Sequence, residues 1–270
     1  MPLVAAFLVP GQPLHFLRPA EPPYSALVAG HAQAAQALAA ARPDVLIVYS
    51  TQWIAVLDEL WQLRPHVQGL HVDENWYEYG DLPFSLRIDT DLTAACIAAT
   101  PAIGVRSKGV DYDGFPIDTG TIVATGFLDP TGSYPLVLAA NNVYHDWSRT
   151  AELGALVAAQ AEALGRRYAV LGVGGLSGGA YRHELALRDD ALSSAGHDEL
   201  NRRFLRTLEA GDAAALEAAC PDYAAGARAD MGMKHLAFVL GALGSGYRGG
   251  RTLGYGPHYG CGAAVFQFDC

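Results

Sequence analysis

Two short apolar runs separated by one amphipathic segment restrict this chain more than any other feature of its sequence. Val4 to Val9 is continuously apolar, and Gly11, Pro13 and the stretch Pro19 to Pro23 then punctuate a loop. Ser25 to Ala41 carries Leu27, Ala34, Ala35 and Leu38 at helical spacing and stops at Pro43. Asp44 to Tyr49 follows at once as a second apolar run. A strand, a helix and a strand with no polar alternation predict a parallel sheet covered by helices on both faces. The expected class is therefore α/β, with a central mostly parallel or mixed sheet flanked by helices. Further strands are expected at Gly69 to Val72, Ile103 to Arg106, Pro135 to Ala139, Tyr168 to Val173 and Ala263 to Phe268. Helices are expected at Leu92 to Ala99, Ala151 to Arg166, Asp198 to Glu209, Ala213 to Ala219 and Asp230 to Leu243.

At 270 residues and 51% hydrophobic the chain can bury one large core, so a single domain over residues 1–270 is expected. No apolar stretch approaches the ~20 residues of a membrane span. The segment Met1 to Phe7 has no basic residue ahead of its apolar run, unlike a secretory signal, and reads as the first strand. A net charge of −10 argues against a general nucleic-acid partner and leaves small neutral or cationic ligands or another protein. Cys96, Cys220, Cys261 and Cys270 form no CxxC pair and read as thiols of a cytoplasmic protein.

Open α/β sheets bind ligands at the carboxyl ends of their strands. Ser50-Thr51-Gln52 and the run Gly174 to Gly179 both leave such ends. The glycine-rich run Gly172 to Gly179 lacks the Lys-Ser/Thr of a Walker loop and comes too late for a dinucleotide fingerprint, so it reads as a flexible turn. A second glycine-rich stretch, Gly254 to Gly262, reads as a tight turn before the last strand. Its tyrosines would form an interface or a pocket wall. None of the nine histidines forms an HxH or HExxH pair. His71-Val72-Asp73-Glu74 is the most acidic histidine neighbourhood. His145, after the expected strand Pro135 to Ala139, is the best single ligand-facing imidazole.

Several ordered motifs together resemble the α subunits of the 2-aminophenol 1,6-dioxygenase type. They are Ala6 to Pro13, Arg42 to Trp53, Val72 to Glu78, Asp113 to Thr121, Gly172 to Gly179 and Leu253 to Pro257. Those subunits belong to the class III extradiol ring-cleaving dioxygenases. The resemblance runs from end to end and implies a heteromer, α2β2. In it a homologous catalytic β subunit holds non-haem Fe(II) and this type of chain is a stabilising partner without cofactor.

Against the catalytic members the chain has lost its donors. Their first metal histidine corresponds to Gly11, and their second to Gln52 in Ser50-Thr51-Gln52-Trp53. Their glutamate falls near Arg228 to Gly232, where Asp230 is the carboxylate. Their acid–base histidine follows a Leu-Ser pair, and here Leu176-Ser177 precedes Gly178. A tyrosine of theirs is replaced by Thr119. The resemblance thus implies a vestigial pocket of Gly11, Gln52, Thr119, His145, Ser177 and Gly178, with no metal. Trp76, Tyr77, Tyr255 and Tyr259 are aromatic residues of the kind interfaces use. Two other readings stay open: an autonomous metalloenzyme rebuilt from His145, His258 and Asp230, and a small-molecule module using the space around Gln52, Thr119 and Ser177.

Overall fold

The structure, a computed structural model, describes residues 3–270. In chain order the elements are β1 (Leu3–Val9), α1 (Leu14–Leu17), α2 (Ser25–Ala41), β2 (Val45–Ala55), β3 (Glu59–Gln62), β4 (His66–His71), β5 (Leu82–Arg87) and α3 (Thr90–Ala99). They continue with β6 (Ser107–Val110), α4 (Thr119–Leu128), β7 (Leu136–Asn142), α5 (Trp147–Ala163), β8 (Tyr168–Val173), α6 (Ala195–Glu209), α7 (Ala213–Gly226), α8 (Lys234–Leu243), β9 (Gly250–His258) and β10 (Cys261–Phe268).

Eight strands form one sheet in the order β6-β3-β7-β2-β8-β1-β10-β9, and β4 and β5 pair separately as a hairpin. The centre, β7-β2-β8-β1, is parallel. On one flank β10 runs antiparallel to β1 and β9 antiparallel to β10, and on the other β3 opposes β7. The expected mixed α/β sheet is therefore present. β7 and β8 are buried along their whole length, as β2 is from Val45 to Thr51, because helices cover both faces. Leu92 of α3, Val157 of α5 and Val239 of α8 belong to the core on one face; Leu38 of α2 and Val123 of α4 belong to the core on the other. Asp89, Asp118, Asp146, Ser194 and Asp212 each cap a helix by accepting from a backbone N–H in its first turn.

Four expectations need correction. Ile103 to Arg106 is not a strand: Pro101 opens a 3-10 turn over Thr100–Ile103, Gly104 reverses the chain at φ +69°, and β6 begins only at Ser107. Gly254 to His258 is strand rather than turn. Its glycines serve close approach, since a Cβ on Gly254 would sit 2.3 Å from the Ala26 carbonyl oxygen of α2. The helix expected from Asp230 starts at Lys234, because Met231, Gly232 and Met233 all have positive φ. The helix expected to end at Ala219 runs on through Pro221 to Gly226. The short strands β3 and β5 and the helix α4 gave no sequence signal of their own.

Two features govern stability. The helices α5 and α8 cross at glycines: a Cβ on Gly154 would lie 2.0 Å from the Phe238 carbonyl oxygen, and one on Gly241 would lie 1.9 Å from that of Ala151. The other is a buried imidazole cluster between α1, α2 and β9. His15 and His31 approach Nε2 to Nε2 at 3.1 Å beside Phe127, and His258 accepts the Leu14 N–H at 3.1 Å. None of the three is exposed, and all three Nδ1 atoms lack a partner. Burial holds His15 at about 3 and keeps His31 and His258 well below the usual imidazole range.

Gly154→Ala is expected to destabilise the chain by roughly 3 kcal/mol in denaturant titrations through overpacking. Gly196→Ala, whose Cβ meets only Ser194 Oγ at 3.6 Å, should leave the midpoint in place. The imidazoles set a pH dependence as well. Their folded pKa values are depressed, so their contribution is complete above the unfolded value of 6.5 and is lost as pH falls toward the folded values. Glu59, raised by burial, opposes this by at most one proton. Unfolding free energy should therefore drop by roughly 3 kcal/mol per pH unit just below the unfolded value. A flat profile from pH 6.5 to 5 would contradict neutral burial of these rings.

Candidate functional site

The parallel strands β1, β2 and β8 end at one rim, where the amino terminus of α4 and the irregular turn before α8 also arrive. Between them lies a cavity of about 720 Å³ lined by Gln12, Thr51, Gln52, Thr119, Ser177, Gly178 and Asp230 among others. A groove of about 810 Å³ runs between β4 and residues 111–117, away from these strand ends. The strand-end cavity is the better candidate, because buried side chains from separate elements converge there.

At the floor of the cavity, backbone fills the places where donor side chains would stand. A Cβ on Gly11 would lie 2.7 Å from Gly120 Cα and from Val173 Cγ1, and 3.3 Å from the Gln52 amide nitrogen. The first turn of α4 therefore rests directly on the chain leaving β1. Gly178 is equally confined: its Cβ would be 2.7 Å from the Arg228 carbonyl oxygen, and its N–H donates to the carbonyls of Ala227 and Arg228.

Three of the carboxylates lining the cavity, Asp73, Asp118 and Asp230, are occupied by internal donors. Asp230 Oδ2 accepts from the Thr51 hydroxyl at 2.7 Å and the Gly175 N–H at 2.8 Å, tying three turns together. Asp118 accepts from Ser50 Oγ, Thr121 N and Thr121 Oγ1. Thr119 donates to Asp73 Oδ2 at 2.6 Å and lies 2.8 Å from His71 Nε2. With its one hydrogen on Asp73, the Thr119 oxygen accepts from His71, which fixes the proton of that imidazole on Nε2. Ser177 Oγ accepts from Asn201 Nδ2 and the Gly262 N–H. His235, buried beneath Asp230, is pushed down to about 4 by desolvation, against the pull of that carboxylate.

The structure thus brings Gln52, Thr119, Ser177, Gly178 and Asp230 around one cavity; Gly11 lies beneath them, against Gln52 and Gly120, outside the lining. It places His145 and His258 elsewhere. His145 does not line the cavity. It lies on the α5–α8 side of the sheet, its Nδ1 3.5 Å from the buried Glu59 carboxylate, because β7 carries it past the strand ends. His258 belongs to the imidazole cluster under α2, so His145, His258 and Asp230 sit in three different surroundings. Among the described residues, no group of three or more His, Cys, Asp or Glu is arranged to hold a metal. His71 and Asp73 do meet, through Thr119 rather than along one strand face, since β4 ends at His71.

Of the aromatic residues, Tyr77 is exposed, whereas Trp76 packs edge-on to Tyr259 at 4.7 Å. Tyr255 donates to Asp198 at 2.7 Å, and Tyr259 donates to the His183 carbonyl. Each of these three thus makes contacts within the chain, and Trp76 also lines the cavity. Thr51 and Asp118 were missed as partners of the site region. No local pattern marks them, since their partners are 179 and 68 residues away. No helix among the described residues is long and apolar enough to cross a membrane.

Comparison with known proteins places this architecture. The family described as the catalytic LigB subunit of aromatic ring-opening dioxygenase matches residues 16–266. The chain is 44% identical over 270 residues, all of both chains, to a 2-aminophenol 1,6-dioxygenase alpha subunit from a Pseudomonas species. It is 30% identical over 114 residues to a beta subunit of the same name, covering 42% of this chain and 37% of that one. A crystal structure of the uncharacterized protein JW3007 from Escherichia coli K12 superposes with a TM-score of 0.68 at 12% identity, covering 98% of this chain and 100% of that one, and so shares the fold. With a match across nearly its whole length and a full-length relative at this identity, the chain belongs to the LigB family of aromatic ring-opening dioxygenase subunits.

Proposed function

We propose that this chain is the non-catalytic, stabilising α-type subunit of a two-component extradiol dioxygenase acting on 2-aminophenol-type rings. In this reading Fe(II) and ring opening reside on a homologous β-type subunit, and the two assemble as α2β2 in the cytoplasm. The relationship to a named α subunit along the full length supports the choice of substrate class and partner.

The observation that carries the reading is the state of the cavity floor. A non-haem ferrous site of the facial-triad kind requires two imidazoles and a carboxylate around open positions. Here Gly11 offers no donor atom, and Gly120 backbone occupies the space a side chain would need. Gln52 offers a neutral amide. Asp230 has its Oδ2 committed to Thr51 and Gly175. The residues present do not fit the ion, and no step of ring opening can be derived from them. What they do provide is a stiff rim: three turns sewn to one another by buried hydrogen bonds, each costly to leave unmade.

Expressed alone, the chain is expected to show no ring opening and no stoichiometric iron by elemental analysis. Co-expressed with a β-type subunit it should co-purify in an iron-containing, active complex. An active, iron-loaded preparation of this chain by itself would defeat the proposal. Gly11→His/Gln52→His should not restore iron binding. The added imidazole at position 11 must displace α4, so the melting temperature is expected to fall by several degrees, equivalent to roughly 2 kcal/mol or more.

A further inference from the structure

In the lining of the strand-end cavity, Ser177, Gln52 and His71 each keep a polar group that no internal hydrogen bond uses. Ser177, only 3% exposed, accepts at Oγ from Asn201 Nδ2 at 2.8 Å and from the Gly262 N–H at 3.1 Å. Both lone pairs are then taken, and its own hydroxyl hydrogen meets no acceptor among the described residues. Gln52 donates its backbone N–H to Ser50 Oγ at 3.3 Å, while its side-chain amide, a donor and an acceptor, makes no hydrogen bond among the described residues. His71 spends Nε2–H on Thr119, which leaves Nδ1 an open acceptor.

Charge narrows what meets these groups. The lining sets the carboxylates of Asp73, Glu74, Asp118 and Asp230 against a single guanidinium, that of Arg228, so an anion would enter against the field. A cation gains little, because Asp73, Asp118 and Asp230 already accept from hydroxyls and backbone amides and Glu74 is exposed to water. A neutral molecule remains. Pro13, Trp53, Trp76, Pro116 and Ile117 add flat or apolar surface around a space of about 720 Å³, the size of sites that enclose small organic molecules. A planar ring fits such walls, and polar substituents on it would satisfy Ser177, Gln52 and His71.

We infer that this cavity is a binding site for a neutral aromatic ring carrying hydroxyl or amino substituents, which it holds without opening. Ser177 donates to a substituent oxygen, Gln52 both donates and accepts, and His71 Nδ1 accepts from an O–H or N–H. A bare ring would leave these groups unpaired once water is displaced, and a charged ring would meet the unfavourable balance of the lining. The inference rests on the reading given under Proposed function and adds a second kind of ring site to the complex. One lies on the β-type partner, where the ring is opened, and one on this chain, where it is only bound.

The test is titration calorimetry on the whole chain expressed alone, with 2-aminophenol, uncharged at neutral pH, added under anaerobic conditions as the probe. Wild-type chain is expected to give saturable heat, and benzoate and benzylammonium, charged rings of similar size, to bind roughly tenfold or more weakly. Gln52→Leu removes the amide, and Gln52→Glu keeps its shape while removing the donor. Each should weaken 2-aminophenol roughly tenfold or more with circular dichroism and melting temperature unchanged. Gln52→Glu keeps the test decisive should Gln52→Leu not fold. If wild type gives no saturable heat, if the three rings bind alike, or if the folded variants bind as tightly as wild type, the inference falls, while the subunit reading stands on its co-expression assay. If the chain alone carries iron and opens the ring, the subunit reading falls and this inference with it.

Discussion

The carboxyl rim of the sheet is organised by the absence of a side chain at Gly11. Where β1 leaves the sheet, backbone meets backbone: the chain at Gly11 and the first turn of α4 at Gly120 are closer than any Cβ would permit. Gly120 is held to the same standard, since its own Cβ would lie 2.7 Å from Ser50 Oγ. This contact fixes the position of Asp118, which caps α4 while accepting from Ser50, and of Thr119, which links α4 to Asp73 and His71. A larger residue at either glycine would separate α4 from the strand ends and undo all of these bonds together.

The same economy governs charge. Carboxylates that line a cavity are free to bind cations only if their lone pairs point into it. Asp73, Asp118 and Asp230 instead accept from hydroxyls and backbone amides of neighbouring turns. Their negative charge is met by the fixed dipoles of neighbouring turns, which ties the rim together.

Much of the fold was legible from residues alone. Val4 to Val9, Val45 to Tyr49, Leu136 to Ala139 and Tyr168 to Val173 declare buried parallel strands because helices leave no polar face to alternate. β3 and β5 escaped notice because short strands with Gln, Ser or Arg carry no period that survives over four to six residues. The glycines of β9 misled for a physical reason: glycine marks both turns and close approach, and only the position of α2 distinguishes them. His145 misled for another, since its place after β7 is right for a strand-end ligand but its strand outruns the cavity.

The sequence by itself determined which atoms are available at the site: a glycine, an amide and one aspartate cannot become two imidazoles and a glutamate whatever the fold. It also determined the α/β class, because the order of apolar runs leaves few other ways to bury them. Only the tertiary structure decided that the vacated space at Gly11 is filled by Gly120, that Asp230 is consumed by Thr51 and Gly175, and that His258 lies with His15 and His31 instead of near either. Those outcomes depend on contacts between residues more than 50 positions apart, and such distances are set by how helices settle on a sheet, not by any pattern local to the chain.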